Sequence, residues 1–299
     1  MPSEQTLAEL FTKGLLPIRQ GALFRQALAP NSSPRLPDRV AGMLFGLAIG
    51  DALGNTSEGM LPAERRRCHG ETTDYLPNRY AEGRAVGLPS DDTQLAFWTL
   101  ERLLADGCLD PDHVARAFTA NGRIFGIGGA VREFLANVKE RGLPWFKAGA
   151  ESAGNGALMR IAPVVIPHLR NGGTGLWADA VIAALITHRD SMSIASCVAF
   201  CGMLTDLMRM TAPPPPEWWT ARFVELAGPL EATRYSPRGG AFTAFHGTLA
   251  EFVAEVVPAA LREGLSAVEA CNRWYSGAYL METVPSVLFI LARDGQRFA

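Results

Sequence analysis

Apolar residues recur at helical spacing through most of the chain. Ala96, Leu100, Leu103 and Leu104 fall at i, i+4, i+7 and i+8, one face of a helix, and comparable spacing runs through residues 178–186, 194–208 and 252–261. No convincing series of alternating apolar and polar positions predicts strands. Glycine, proline and asparagine gather between the periodic stretches, at Pro77-Asn78, 126–129, 154–156, Gly172-Gly173, 213–216 and Gly239-Gly240. Such clusters mark turns, so helices are joined by loops unusually rich in glycine. The pattern predicts an all-α fold, a single compact domain of many helices over residues 38–299. The prolines at 213–216 read as a stiff surface loop rather than a boundary, because the helical period resumes after Trp218-Trp219.

The first 37 residues follow another pattern. Leu7, Leu10 and Phe11, then Leu23, Phe24, Ala27 and Leu28, predict two short amphipathic helices, followed by a polar linker, Asn31-Ser-Ser-Pro-Arg-Leu-Pro37. Residues 1–37 therefore form an appended arm. It is either a strap docked on its own domain or a segment that binds a partner or covers a site.

Composition narrows the class. A chain of 299 residues, 48% hydrophobic and 19% charged, can bury a large core. The formal net charge is −2 and the longest basic run is Arg65-Arg66-Arg67, which argues against nucleic acid as a partner. The five cysteines are odd in number and form no CxxC pair, so neither a disulfide framework nor a thiolate zinc site is expected; Cys197 and Cys201 read as core. The N-terminus lacks the pattern of a signal peptide, and the longest apolar run, residues 40–50, is too short to span a bilayer. The expectation is a cytoplasmic protein without a membrane partner.

Candidate chemistry begins at Ser90-Asp91-Asp92-Thr93, at the start of the 91–104 helix. Ser90 suits an N-cap, and acidic residues in a first turn gain about 0.3–1 kcal/mol each from the helix dipole. Capping accounts for one aspartate as readily as for two. Upstream, Gly42, Gly46, Gly50 and Gly54 space small residues along a helix so that another helix can approach closely. Asp51 on that helix reads as a cap or as a bond to a neighbouring loop, whereas Glu58, just beyond it, is freer to face a ligand. Ser152-Ala-Gly-Asn-Gly156 places small residues directly before a predicted helix, a geometry that leaves backbone N–H groups open to a phosphate. Phe125-Gly-Ile-Gly-Gly129 offers a similar loop before a helix over 130–138, or a plain turn.

Taken in order, these motifs resemble those of the ADP-ribosylglycohydrolases. The resemblance rests on Gly50-Asp51-x-x-Gly54-x-x-x-Glu58, Ser90-Asp91-Asp92-Thr93, Ser152-x-Gly154-Asn155-Gly156-x-x-Met159-Arg160, Thr187-His188 and Glu282-Thr-Val-Pro-Ser286, and runs from about residue 39 to the last. It implies an all-α fold with a metal-binding cleft holding two Mg2+ ions, or Mn2+, with Ser90, Asp91 and Asp92 as ligands. It implies a hydrolase that removes ADP-ribose from a modified side chain, most simply arginine. Glu58, Asp91 and Asp92 are the implied catalytic residues. Gly126, Gly128, Ser152, Gly154, Asn155, Gly156, Met159 and His188 are the implied substrate contacts, His188 reading equally well as a core residue.

The chain departs from the family pattern at its end, Arg293-Asp-Gly-Gln-Arg-Phe-Ala299, where the second acidic segment, Asp-x-Asp-Thr, is not found. The expected partner is an ADP-ribosylated protein or ADP-ribose itself. A second reading makes the chain a binding or immunity protein that occludes an ADP-ribosyltransferase toxin through the N-terminal arm, with little or no turnover.

Overall fold

The computed structural model describes residues 3–298. Fourteen α-helices carry the described chain: α1 (Ser3–Thr12), α2 (Leu36–Gly54), α3 (Pro62–His69), α4 (Asp91–Asp106), α5 (Pro111–Ala120), α6 (Gly129–Lys139), α7 (Trp145–Ala148), α8 (Ile166–Leu169), α9 (Gly175–Leu185), α10 (Ser191–Leu207), α11 (Pro216–Ala227), α12 (Leu249–Arg262), α13 (Ala267–Trp274) and α14 (Leu280–Asp294). Extended structure among the described residues is confined to isolated bridges, so the chain is all-α, as its periodicity predicts.

The core is built around α9 and α10. Every residue of α9 from Leu176 to Leu185 is buried, as is most of α10, and neither helix has a polar face. A helix that is apolar all round must be covered all round. α1 packs on α9, α11 on α10, and α12 and α14 on α11. The buried positions of α4 are Asp91, Thr93, Leu95, Ala96, Thr99 and Leu103. The face predicted from Ala96, Leu100, Leu103 and Leu104 is therefore rotated: Leu104 is 73% exposed, and Thr99 takes a core place by bonding Leu95 O through its hydroxyl. A threonine that returns its hydroxyl to the preceding turn fills a core position that an apolar count overlooks.

The glycines of α2 do not receive a helix. An added Cβ at Gly42, Gly46, Gly50 or Gly54 would meet nothing within 4 Å, and Phe45 and Ile49 beside them are exposed. The close approach expected from that spacing is absent among the described residues.

The N-terminal segment lies along the helical body. Leu7 and Leu10 are buried, Ile18 bridges to Glu231, Leu28 bridges to Gly173, and Trp177 Nε1 donates to Gln26 O. Its second predicted helix is only a 3-10 turn, Ala22–Arg25, because those residues tie down through such long-range bonds rather than through their own i→i+4 pattern. No helix of the described residues is long and apolar enough to cross a membrane. Cys197 and Cys201 are buried and free, as read from their apolar helix.

Candidate active site

Asp51 makes the first connection of the site. Its Oδ2 accepts from the N–H of Ser90 at 2.7 Å and of Thr93 at 3.2 Å, and from the Thr93 hydroxyl at 2.6 Å, while its Oδ1 lies 2.6 Å from Ser90 Oγ. The carboxylate of one helix thus caps the N-terminus of another, satisfying donors that α4 cannot satisfy itself. Ser90 occupies the N-cap position but makes no side-chain cap bond, and Asp91 and Asp92 are left free of the capping task that their position suggests.

Asp91 and Asp92 face a cleft of about 540 Å³, with Glu58 beside them. Ser90 lies beneath, buried, with Oγ 3.3 Å from Asp92 Oδ2. Burial pushes the Asp92 carboxyl up to about 7, helped by the charges of Asp51, Asp91 and Glu58, against a bond from Ser90. Asp91 is pushed up to about 6, again first by burial, while its own N–H and that of Gly128 draw it back. Glu58 is also raised, by desolvation and then by Asp51, with Arg79 opposing. A wall of carboxylates that hold protons near neutrality is short of positive charge.

A further part of the lining comes from the loop at 150–156. A parallel bridge joins Ala150 to His188 and an antiparallel bridge joins Gly154 to Tyr279, so three distant segments meet here. The Ser193 hydroxyl lies 3.0 Å from the carbonyls of both Ser152 and Gly154. This loop differs from its reading as a phosphate nest. Gly154 N–H bonds Ser152 Oγ, Asn155 N–H bonds Ala278 O at 2.8 Å, and the segment leads into a 3-10 turn, Leu158–Arg160, rather than an α-helix. Those two amides hold the loop together. The open helix start in the cleft belongs instead to α6, where Gly128 caps without a side chain and Gly129, Ala130 and Val131 line the cavity.

Two glycines are required by contact. At Gly156 a Cβ would stand 2.9 Å from His188 Cε1; at Gly126, which has φ +78°, it would stand 3.0 Å from Asp91 Oδ1.

His188 is both core and lining, 1% exposed yet at the cleft wall. Arg160, fully buried, donates from Nη2 to Thr187 Oγ1 at 2.7 Å, and that oxygen lies 2.9 Å from His188 Nδ1. These contacts hold the ring with Nε2 towards Gly154 and Gly156. Burial, and then the charge of Arg160, push the imidazole down to about 3. It is neutral at physiological pH.

All the predicted catalytic and substrate-contact residues line this one cleft, together with Glu151, Arg238, Ala278 and Tyr279, which the sequence reading missed. Gly239-Gly240, next to Arg238, is the one local signal that marks a loop there.

The donor set matches a hard divalent cation in kind. The Ser90 hydroxyl shares its proton between Asp51 and, at the longer distance, Asp92 and keeps lone pairs, and Asp91 and Asp92 offer carboxylate oxygens. Among the described residues, however, no three His, Cys, Asp or Glu side chains are grouped to hold a metal ion, so these residues make one edge of a shell and not a cage.

The sequence profile of the ADP-ribosylglycohydrolase family matches residues 32–299. The chain is 31% identical over 177 residues to ADP-ribosylarginine hydrolase Tri1 of Pseudomonas putida, covering 56% of this chain and 46% of that protein. It is 28% identical over 179 residues to ADP-ribosyl-[dinitrogen reductase] glycohydrolase of Rhodospirillum rubrum, covering 59% and 60%. The chain thus spans about half the length of the curated relatives it matches. A solved structure titled ADP-ribosylglycohydrolase-related protein complex shares the fold, with a TM-score of 0.61 at 24% identity over 89% of this chain and 81% of that one. The profile match extends over nearly the whole chain and takes in every segment that builds the cleft: the chain belongs to the ADP-ribosylglycohydrolase family.

Proposed function

We propose that the cleft hydrolyses the bond between ADP-ribose and a modified side chain, and that the side chain is arginine. The observation that carries this reading is the convergence of Glu58, Asp91 and Asp92 in one cleft whose lining also holds small residues and a neutral His188. Family membership and the two hydrolase relatives support it.

Cleavage at an anomeric carbon passes through an oxocarbenium-like state, which nearby carboxylates stabilise. Water forms the new bond to that carbon as the C–N bond breaks, and its electron pair leaves with the guanidine nitrogen. Glu58, the most open of the three acids, would orient that water and accept its proton. Asp91 and Asp92, with Ser90, would hold one edge of a magnesium or manganese site, and a cation bound there would neutralise these carboxylates and supply a Lewis acid. Gly126, Gly128 and the start of α6 would face the ADP moiety, with Ser152, Gly154, Asn155, Gly156 and Met159 across from them. His188 would present Nε2 to the substrate as a neutral hydrogen-bonding group.

Chromatographic release of ADP-ribose from ADP-ribosylated arginine and serine peptides, with magnesium and with a chelator, tests the reading. Metal-dependent release from the arginine peptide is expected, lost in Asp91→Asn and Asp92→Asn with the helical circular dichroism unchanged. Undiminished release in the doubly substituted chain would sink the role of the two aspartates. Binding of ADP-ribose without release from either peptide would make this a binding cleft, as an occluding protein requires.

A further inference from the structure

Four carboxylates line the cleft, those of Glu58, Asp91, Asp92 and Glu151, and Arg238 is the one arginine or lysine among the described lining residues. Its guanidinium forks onto Glu282, Nε to Oε1 at 3.0 Å and Nη2 to Oε2 at 2.8 Å, and lies 4.7 Å from the centre of the Tyr279 ring. The two partners are unequally placed. Glu282 is wholly buried while the Arg238 side chain is 59% exposed. Gly277 leaves room for the buried carboxylate, since a Cβ there would stand 2.6 Å from Glu282 Oε2.

Burying a carboxylate is expensive, and replacing such a pair by apolar residues is often neutral or stabilising. Stability alone therefore does not account for it. What the pair achieves is a guanidinium fixed in plane by a bidentate fork and by the Tyr279 ring, with Nη1 left without a protein partner among the described residues. We infer that Arg238 is a preorganised anion anchor for the diphosphate of the substrate. It sets the substrate's direction: the diphosphate lies at Arg238 and Tyr279, where the described lining has its one guanidinium, and the reacting ribose lies at Glu58, Asp91 and Asp92.

The assignment rests on the reading of the substrate as an ADP-ribosyl group. Calorimetric titration of the 299-residue chain with ADP-ribose, ADP and adenosine tests it, in wild type, Arg238→Lys, Arg238→Gln and the double variant Arg238→Gln/Glu282→Gln. The double variant leaves no unpaired buried charge, so it keeps the test open if Arg238→Gln alone folds poorly. Affinity for ADP-ribose and ADP is expected to fall about tenfold or more in the double variant while adenosine binding stays within about twofold, and Arg238→Lys should restore part of the loss. Equal losses for adenosine, no loss for ADP, or a lysine variant as weak as the uncharged double would overturn the anchor. A wild-type chain that binds neither ADP-ribose nor ADP would overturn the functional reading itself, whereas wild-type binding with an unaffected double variant overturns only the anchor.

Discussion

At the scale of single residues the cleft is governed by where protons reside. The Asp92 carboxyl ionises near 3.8 when unfolded and near 7 when folded. Between those values the folded chain holds the extra proton, so this contribution to stability is complete below pH 3.8 and is lost as pH rises through 7. Asp91 acts in the same direction over a narrower window, up to about 6. Asp92→Asn removes the ionisable group and keeps the shape. In chelated protein it should raise the melting temperature by roughly 2–4 °C at pH 8 and change it little at pH 4, followed by circular dichroism. A substitution that stabilises at pH 8 while abolishing release would show that the charge is held for chemistry. Equal shifts at both pH values would show that the gain is packing. The pair Asp91-Asp92 is legible in the sequence because adjacent acids before an apolar helix are conspicuous. Arg238 is not, because its meaning lies in Glu282, 44 positions away, and only the folded chain brings that carboxylate beneath it.

At the scale of elements, the placing of the carboxylates depends on a cap that crosses from α2 to α4. Asp51 accepts from two backbone amides and lies within hydrogen-bonding distance of two hydroxyls, all at the start of α4. Asp51→Ala should cost roughly 2–3 kcal/mol in urea unfolding, more than an exposed cap, because several donors lose their partner together. The pH midpoint of Asp92, read by NMR, should fall, since Asp51 is the largest charge holding it up. A midpoint that stays in place would separate the cap from the electrostatics. The sequence allows Asp51 a capping role but not its address, because a cap is normally sought within its own helix. The all-round apolar helices α9 and α10 are legible end to end, since no phase has to be chosen. The amphipathic α4 is read with its face turned because Thr99 counts as polar, and the 152–156 loop is read as open because the acceptors of its amides, Ser152 Oγ and Ala278 O, are fixed only by the fold.

For the whole molecule, the N-terminal segment completes the cover of α9. Leu7, Leu10 and Ile18 are at most 6% exposed, and each fully buried side chain of this size contributes about 1.5–3 kcal/mol. Deleting residues 1–31 should lower the melting temperature by roughly 5 °C or more and uncover Trp177, seen as a red shift of tryptophan fluorescence. An unchanged melting temperature would mean that the segment contributes no cover. The lock formed by Arg160, Thr187 and His188 has a consequence for the environment the cleft answers to. The carboxyls of Asp91 and Asp92 respond to pH near neutrality, because burial lifts them to about 6 and about 7. The imidazole of His188 does not, since it stays uncharged down to about pH 3. Mild acidification therefore changes the charge at Asp91 and Asp92 and leaves that of His188 as it was, so that on the function proposed above recognition and turnover would be lost separately.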